Sequence, residues 1–387
     1  MADKLFFSRD TQVFLVQGSK TWTLPVLDGF SFSQGTNTSE ITLNEMATSA
    51  GVSRRGRQMF TDSYAPAEWS FSTYIRPFVS AGSGTGAADN TAKTHAVEEA
   101  LWSNFVGAGT YAAGSFTFSD ITNGNEATGM GISFANSNKV TLGTFDLFFL
   151  LSKTSGAATD QLYKVEGCVV NEASIDFDID GIATINWSGM GGLISEVEGG
   201  VVPNLAGVIK EGTASTDTAN FIRNRLTSLA ITNGGGGNFQ SSYDVVLTGG
   251  NITMSNNMTF LTPETLGVVN QPLGHVTGTR SVGGSFTAYL GAGDAGDNST
   301  ADLFEDIIEA TDVVTNAFEL IFSIGGASAT PGVVVTAKQC HLEVPTHSMD
   351  DVISLEVNFH ALPSTVGGTD ELGDGSTAAI TYKGTTL

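Results

Sequence analysis

The tightest constraint on this chain is that its order of elements occurs twice. In the first half, an alternating segment Phe30-Ser31-Phe32-Ser33 is followed by a polar stretch. Then come Ser70-Phe71-Ser72-Thr73-Tyr74-Ile75, a glycine-rich bridge and a short helical pattern. The second half runs Asn251-Ile252-Thr253-Met254-Ser255, a polar stretch, Ser285-Phe286-Thr287-Ala288-Tyr289-Leu290, the bridge Gly291 to Asn298, and another helical pattern. An apolar strand follows each helix, Thr144 to Leu150 in one half and Ala317 to Phe322 in the other. The closing segments match at a spacing of 172 residues, which pairs Cys168 with Cys340, Asp178 with Asp350, Asn186 with Asn358 and Trp187 with Phe359. Independent matches in one order imply an internal duplication.

Each copy is built for strands. With 47 Gly, 9 Pro, 24 Phe and only 15% charged residues, the composition suits pleated sheets joined by glycine turns. Trp69-Ser70-Phe71-Ser72-Thr73-Tyr74-Ile75 and Ile175-Asp176-Phe177-Asp178-Ile179-Asp180 have period two, which sends apolar and polar groups to opposite faces. Ile175, Phe177 and Ile179 are therefore expected in the core, with Asp176, Asp178 and Asp180 on the opposite, solvent-facing side. Helix is expected only over Ala96 to Phe105, with Val97, Leu101 and Phe105 on one stripe, and over Thr300 to Thr311, with Leu303, Phe304, Ile307 and Ile308. Ser299 or Thr300 is the expected cap of the second. The expected fold is mainly β: two tandem β-sandwich or barrel domains, each with one short α-helix. Their bounds are 1–198 and 226–365, with a linker over 199–225 and a tail over 366–387. The insertion Gly107 to Gly143, the connection Glu196 to Asn220 and the tail are polar enough to be expected at the surface.

Several function classes are disfavoured at once. Forty acidic residues against 17 Lys plus Arg give a net charge of −23, whereas gripping a DNA groove needs clustered cations. The two Cys make neither a disulfide framework nor a CxxC metal pair. No apolar run has the length of a membrane span or the pattern of a signal peptide. Asp176-Phe177-Asp178-Ile179-Asp180-Gly181 copies the start of a calcium loop, but its twelfth position is Trp187 where a bidentate Glu is needed, so a strand ending in an Asp-Gly turn is the better reading. His341, His347 and His360 fit no zinc spacing. No nucleophile elbow, Walker loop or dinucleotide fingerprint occurs in context, and Gly234 to Gly237 lacks the Lys and helix of a phosphate cradle. Glu98 and Glu99 are adjacent on a helix and face apart, so they are no catalytic pair. No enzyme, metal site or cofactor is expected.

Arg54-Arg55-Gly56-Arg57 is the cationic cluster of an acidic chain, and it precedes Met59-Phe60 in the polar stretch between the first two strands of the first copy. Exposed Arg groups there are expected to seek carboxylates on a neighbouring subunit. The equivalent stretch of the second copy has Asn270 to Gly274, with Arg280 nearby.

This order of alternating strand, long arm, strand, helix and hairpin resembles the bacteriophage major tail tube protein family. The residues that carry the likeness are Val26 to Ser33 with Trp69 to Ile75, and Gly249 to Met254 with Ser285 to Leu290, within residues 13–195 and 228–362. The resemblance implies rings that stack, with inner strands forming a barrel around a channel. A two-copy chain is similar to the variant in which three subunits make a pseudo-hexameric ring, a true hexamer being the other option. The implied inter-ring arms are Asn44 to Glu68 and Glu264 to Gly283, which makes Arg54, Arg55, Arg57, Met59 and Arg280 the candidate docking residues. The implied partners are further copies of the chain and the tape measure, terminator and baseplate or tip proteins. Genomic DNA would pass through without specific binding, and no membrane is involved. The implied location is the virion tail, after synthesis in the host cytoplasm. An acidic lumen suits that passage, because a cationic one would hold phosphate. The competing classes are a capsid decoration or receptor- or glycan-binding sandwich, and a secreted β-rich hydrolase, which would need carboxylates converging in a cleft.

Overall fold

The alternating segments become long antiparallel strands, and the strands of both halves join into one sheet. The structure is a computed structural model that describes residues 6–41, 58–79, 93–112, 117–125, 127–134, 142–152, 160–199, 201–203, 208–209, 220–233, 240–262, 272–293, 298–309, 318–326, 331–349, 351–368, 370–372 and 379–384. The first half holds β1 (Thr11–Gln17), β2 (Lys20–Leu24), β3 (Ser31–Ile41), β4 (Gln58–Tyr74), helix α1 (Glu99–Val106), β5 (Phe145–Leu151), β6 (Gln161–Asp178) and β7 (Thr184–Gly191). The second holds β8 (Ser228–Asn233), β9 (Ser242–Asp244), β10 (Leu247–Ser255), β11 (Ser281–Tyr289), helix α2 (Thr300–Glu309), β12 (Phe318–Ile324), β13 (Gly332–Leu342), β14 (Thr346–Met349) and β15 (Ile353–Ala361). A last strand, β16 (Ile380–Lys383), follows, and shorter strands lie between these.

An inner sheet runs β3-β4-β7-β6-β10-β11-β15-β14, with every neighbour antiparallel. Outer layers cover it, β2-β1-β5-β6 on one half and β9-β8-β12-β13 on the other. Strand β6 belongs to both layers: its start pairs with β5 and its end, from Val169, pairs with β7. The β5–β6 ladder shifts register between Phe145 and Leu147, and β12–β13 shifts between Phe318 and Leu320. Opposite these bulges lie Cys168 and Cys340, whose thiols donate to the carbonyls of Val165 and Ala337 at 3.3 and 3.6 Å. Burial pushes the Cys340 thiol up to about 12 and raises that of Cys168, so both behave as small apolar residues. The final hairpins differ. Thr184 faces Asp176, whereas Ser354 faces Ser348, so the second turn is two residues shorter. The expected matches of Trp187 with Phe359 and Asn186 with Asn358 are thereby corrected to Val357 and Glu356.

Between the layers the alternation fills one core. Trp69 and Phe71 of β4 stack with centroids 5.1 Å apart, and Trp187 of β7 meets Trp102 of α1 edge-on at 4.9 Å. The indole N–H groups of these three tryptophans find acceptors: Met190 O for Trp69, Thr73 Oγ1 for Trp187 and the Tyr382 hydroxyl for Trp102. Gly189 makes this packing possible, since a Cβ there would lie 2.1 Å from Val169 O and 2.4 Å from the Trp69 ring. Helix α1 starts three residues later than its pattern suggests, because Thr94–Ala96 forms a strand with Pro77–Val79. At α2, the Ser299 backbone N–H donates to Asp302 Oδ2 at 2.6 Å and the Asp302 N–H donates to Ser299 Oγ at 3.4 Å, a reciprocal cap that also lowers the Asp302 carboxyl's pKa.

Three expectations of surface position are corrected. Within the insertion, Phe118, Ile121, Met130, Ile132 and Phe134 are buried. In the connection, Val202 and Asn220 are buried. In the tail, β16 pairs with Met130–Ile132 of the first half and with β13 of the second, and its Ile380 and Tyr382 have no exposure. Polar composition concealed these stretches because a few large residues in each are enough to enter the core. Ile179 is also exposed, since β6 ends at Asp178 and the alternation ends with it.

Two buried polar groups tie the insertion and tail to both halves. The Tyr382 hydroxyl donates to Glu98 Oε1 at 2.6 Å, and burial pushes the Glu98 carboxyl up to about 8. Arg280 had been expected on an arm, but its guanidinium is enclosed. It donates to Val106 O at 3.2 Å and Asn256 Oδ1 at 3.1 Å, lies over the rings of Phe105 and Phe134, and stands 3.9 Å from Glu371. Asn256 donates in turn to Phe105 O. Arg280 thus joins the second half to α1 of the first, which corrects its assignment as an inter-ring residue.

Two outcomes are expected. Because the folded pKa of Glu98 lies above its ordinary 4.5, its stabilising contribution is complete below that pH and is lost by about pH 8. Denaturant midpoints of the parent should therefore fall across that window relative to Glu98→Gln; parallel pH profiles for the two proteins would refute the burial argument. Arg280→Ala should cost roughly 3–5 kcal/mol, since it leaves Glu371 buried without its cation. Urea unfolding of the unassembled chain measures this, and a change below about 1 kcal/mol would return Arg280 to the surface.

Candidate assembly interface

The inner sheet has two unlike faces. On one, Trp69, Phe71, Ile175, Ile185, Ile252 and Phe286 are buried in the core. On the other, the inner strands carry Ser, Thr and Asn, among them Ser31, Ser33, Ser70, Ser72, Ser174, Asn186, Asn251, Thr253, Ser285 and Thr287. Glu68, Glu172, Asp176, Asp178 and Glu356 stand on the same face, and no Lys or Arg does among the described residues. Cross-strand hydrogen bonds link its side chains: Ser72 donates to Asn186 Oδ1 at 2.6 Å and Asn186 to Asp176 Oδ2 at 2.8 Å. Asp176, Asp178 and Asp180 are all exposed. Asp178 accepts the backbone N–H of Ile179, and Asp180 pairs with Arg225 at 3.6 Å, so the three acids are spread along a strand end and its turn. No group of three His, Cys, Asp or Glu side chains converges to hold a metal among the described residues.

The inner sheet also has two open sides. Strand β3 pairs with β4 alone, and β14 with β15 alone, among the described residues. Such edges are templates for another strand. Near them lie apolar side chains that the chain itself leaves uncovered, with Met349 76% and Val344 64% exposed. The histidines of this region make local contacts: His360 meets Glu343 at 3.0 Å, His341 lies opposite His360, and the His347 ring stands edge-on to Phe304 at 4.4 Å. Hydrogen bonds from His360 and Asn358 hold the Glu343 carboxyl's pKa below its ordinary value.

The two arm stems project differently. Strands β3 and β4 continue beyond the sheet as a ribbon, with Ile41, Met59 and Phe60 exposed near its end. Arg54, Arg55 and Arg57 lie outside the described residues. The second stem is the short pair Thr259–Leu261 and Gly274–Val276, and it leans on the first half: Phe260 packs against a cluster of Leu142, Val169 and Met258. A duplicated β unit is expected to leave edges for neighbouring chains to cover, but which strands form them was not legible in the sequence, because an edge strand has the same alternation as a central one. Sequence reasoning missed Glu98 with Tyr382, for which the only sign was a pair of acids inside an apolar helical stretch.

Comparison with known proteins agrees with this architecture. The sequence model of the family described as phage tail tube protein matches residues 14–361. The tail tube protein pb6 of Escherichia phage T5 is 33% identical over 374 residues, covering 94% of this chain and 74% of that protein. A match of this extent places the chain in the phage tail tube protein family.

Proposed function

We propose that the chain is the repeating structural part of a hollow tail tube, assembling as stacked rings through which DNA passes. As a tail tube protein it is a structural component of the virion tail. The observation that carries the ring reading is the inner sheet, which among the described residues has two open edges and one polar, acidic face free of Lys and Arg. Closing such sheets edge to edge satisfies the edges and turns one face of each towards a common axis. Turned inward, the polar face makes a lumen whose acids, Asp176 and Asp178 among them, repel phosphate and leave the duplex free to slide. Three chains, each with two copies of the tube unit, give the ring a pseudo-six-fold character. The units correspond to residues 1–198 and 226–365, with the linker and tail between and after them. Tape measure, terminator and tip proteins are the partners at the ends and interior of such a tube.

Ring stacking falls to the first arm. Its ribbon ends in exposed apolar residues, Met59 among them, and leads to Arg54, Arg55 and Arg57, which are matched by the acidic surface of another ring. The structural role of the family supports a non-enzymatic reading.

Negative-stain microscopy of the purified protein should show rings or tubes with a central hole; dispersed monomers at high concentration would overturn the proposal. Replacing Arg54, Arg55 and Arg57 with Ala should shorten tubes while rings persist, and unaltered polymerisation would remove the arm from the account. Tubes carrying Asp176→Lys with Asp178→Lys should sediment with short duplex DNA at low salt and release it as salt rises, whereas parent tubes should not. Equal retention by both would mean that this face is not the lumen.

A further inference from the structure

The pairing that joins the two halves inside one chain also specifies the register in which one chain meets the next. We propose that β14 of one subunit pairs antiparallel with β3 of its neighbour, His347 lying opposite Phe32, Thr346 opposite Ser33 and Met349 opposite Phe30. This rests on the ring reading above and adds the partner strand and its alignment.

The argument begins at the internal junction. There β6 pairs with β10 over seven positions, from Glu172 opposite Ser255 to Asp178 opposite Gly249, with Ile175 opposite Ile252 at its centre. Those two isoleucines are buried against the core, and Ser174 opposite Thr253 lies on the polar face. The counterpart of β6 in the second half is β13 with β14. Cys168 and Cys340 both face the phenylalanine that opens a bulge, and Val165 and Ala337 face the leucine that follows it. That spacing carries Ile175 onto His347 and Ser174 onto Thr346.

The counterpart of β10 in the first half is β3. Phe71 faces Trp187 and Phe286 faces Val357, the residue that matches Trp187 once the shorter turn is counted. Phe71 and Phe286 are therefore equivalent, as are Ser70 and Ser285. Ser31 faces Ser70 and Asn251 faces Ser285, which aligns Ser31 with Asn251 and Phe32 with Ile252. The sequence agrees independently, since Val26-Leu27-Asp28-Gly29 then coincides with Val246-Leu247-Thr248-Gly249.

Thus the chain contains both sides of the junction twice, once joined and once open. The faces match in the open case too. His347 lies opposite the buried Leu355, and Phe32 opposite the buried Trp69, so both point to the core side. Thr346 and Ser33 lie on the polar side, as Ser174 and Thr253 do. A slip of one residue would set the core-side residues of one strand opposite the polar-side residues of the other, against the faces that each strand's own pairing fixes. Direction agrees as well: eight alternating strands leave β14 antiparallel to the next β3, so identical sheets close without a parallel seam. Phe32 is only partly covered in the single chain, by Phe149 and Tyr163 at 4.4 and 5.6 Å, and Met349 is 76% exposed, whereas Ile252 and Phe177 at the joined junction are buried. The open edge exposes the apolar surface that the closed one conceals.

The test is disulfide trapping in assembled tubes, with the internal junction as geometric standard. Ser174→Cys with Thr253→Cys should oxidise within one chain, and Thr346→Cys with Ser33→Cys should oxidise between chains, giving covalent multimers on a denaturing gel. A short bis-thiol-reactive linker is run in parallel, so that the internal pair sets the scale in either chemistry. Cys168 and Cys340 are buried and do not compete. Thr346→Cys with Ser31→Cys, shifted by two residues, should remain monomeric. Tubes in which the shifted pair links, or in which the internal pair links and Thr346→Cys with Ser33→Cys does not, overturn the register but leave the ring reading intact. A parent chain that never forms rings overturns the ring reading, and this proposal with it.

Discussion

Backbone hydrogen bonding at the borders of the inner sheet is the constraint on which the rest of this molecule depends. A sheet of strands that pair on both sides needs either a closed barrel or a covered edge, and among the described residues of the single chain β3 and β14 have neither. Every internal feature keeps those borders straight and in place. The β6 strand passes from the outer to the inner layer, so the outer layer fixes where the inner one begins. The bulges opposite Cys168 and Cys340 fall where the strand changes layers, and bulges bend a strand at such points. The tryptophans of β4, β7 and α1 then hold the layers apart at a set distance, each with its N–H satisfied.

The buried polar groups have a related role. Arg280 reaches from β11 territory to the last turn of α1, and Tyr382 reaches from the tail to Glu98 and Trp102. These contacts cross between segments distant in sequence. A core of alternating Ile, Val and Phe tolerates sliding by two residues, because the faces are unchanged. Hydrogen bonds to Val106 O and Glu98 Oε1 do not tolerate it. The polar contacts therefore specify one alignment of the halves, and that alignment decides where the open edges lie.

What could be read from the sequence was whatever has a period. Alternation in Trp69 to Ile75 identified an inner strand and its buried face, and the recurrence of that strand, a helix and a cysteine identified the repeat. Ile179 was misread because alternation carries no mark where a strand ends; the Asp-Gly turn beside it was the better guide. The insertion and tail were misread because composition averages over a segment, and Phe134 or Tyr382 needs only one position to enter the core. Arg280 was misread because a cation in a polar stretch looks the same whether its guanidinium faces water or two phenylalanine rings. The repeat of Trp187 was placed two residues off because a conserved-looking aromatic and asparagine outweighed the length of the turn. Which strands lie at the open edges is invisible to any such reading, since that is a property of what is missing beside a strand.

A subunit with open edges must also stay single until it is needed. The two borders are guarded differently. Strand β14 is only four residues long and follows Pro345, which offers a partner few hydrogen bonds at first contact. Strand β3 is long, but its inner part carries small polar side chains, and the net charge of −23 makes every chain repel its copies. A single edge-to-edge contact is weak on these terms. In the proposed ring, closure changes the balance, because the last subunit to enter meets partners on both sides and the two contacts are made at one cost in freedom of motion. One short edge and mutual repulsion thus disfavour open chains of subunits while leaving the proposed closed ring favourable. That is the selectivity an object assembled from one kind of part requires.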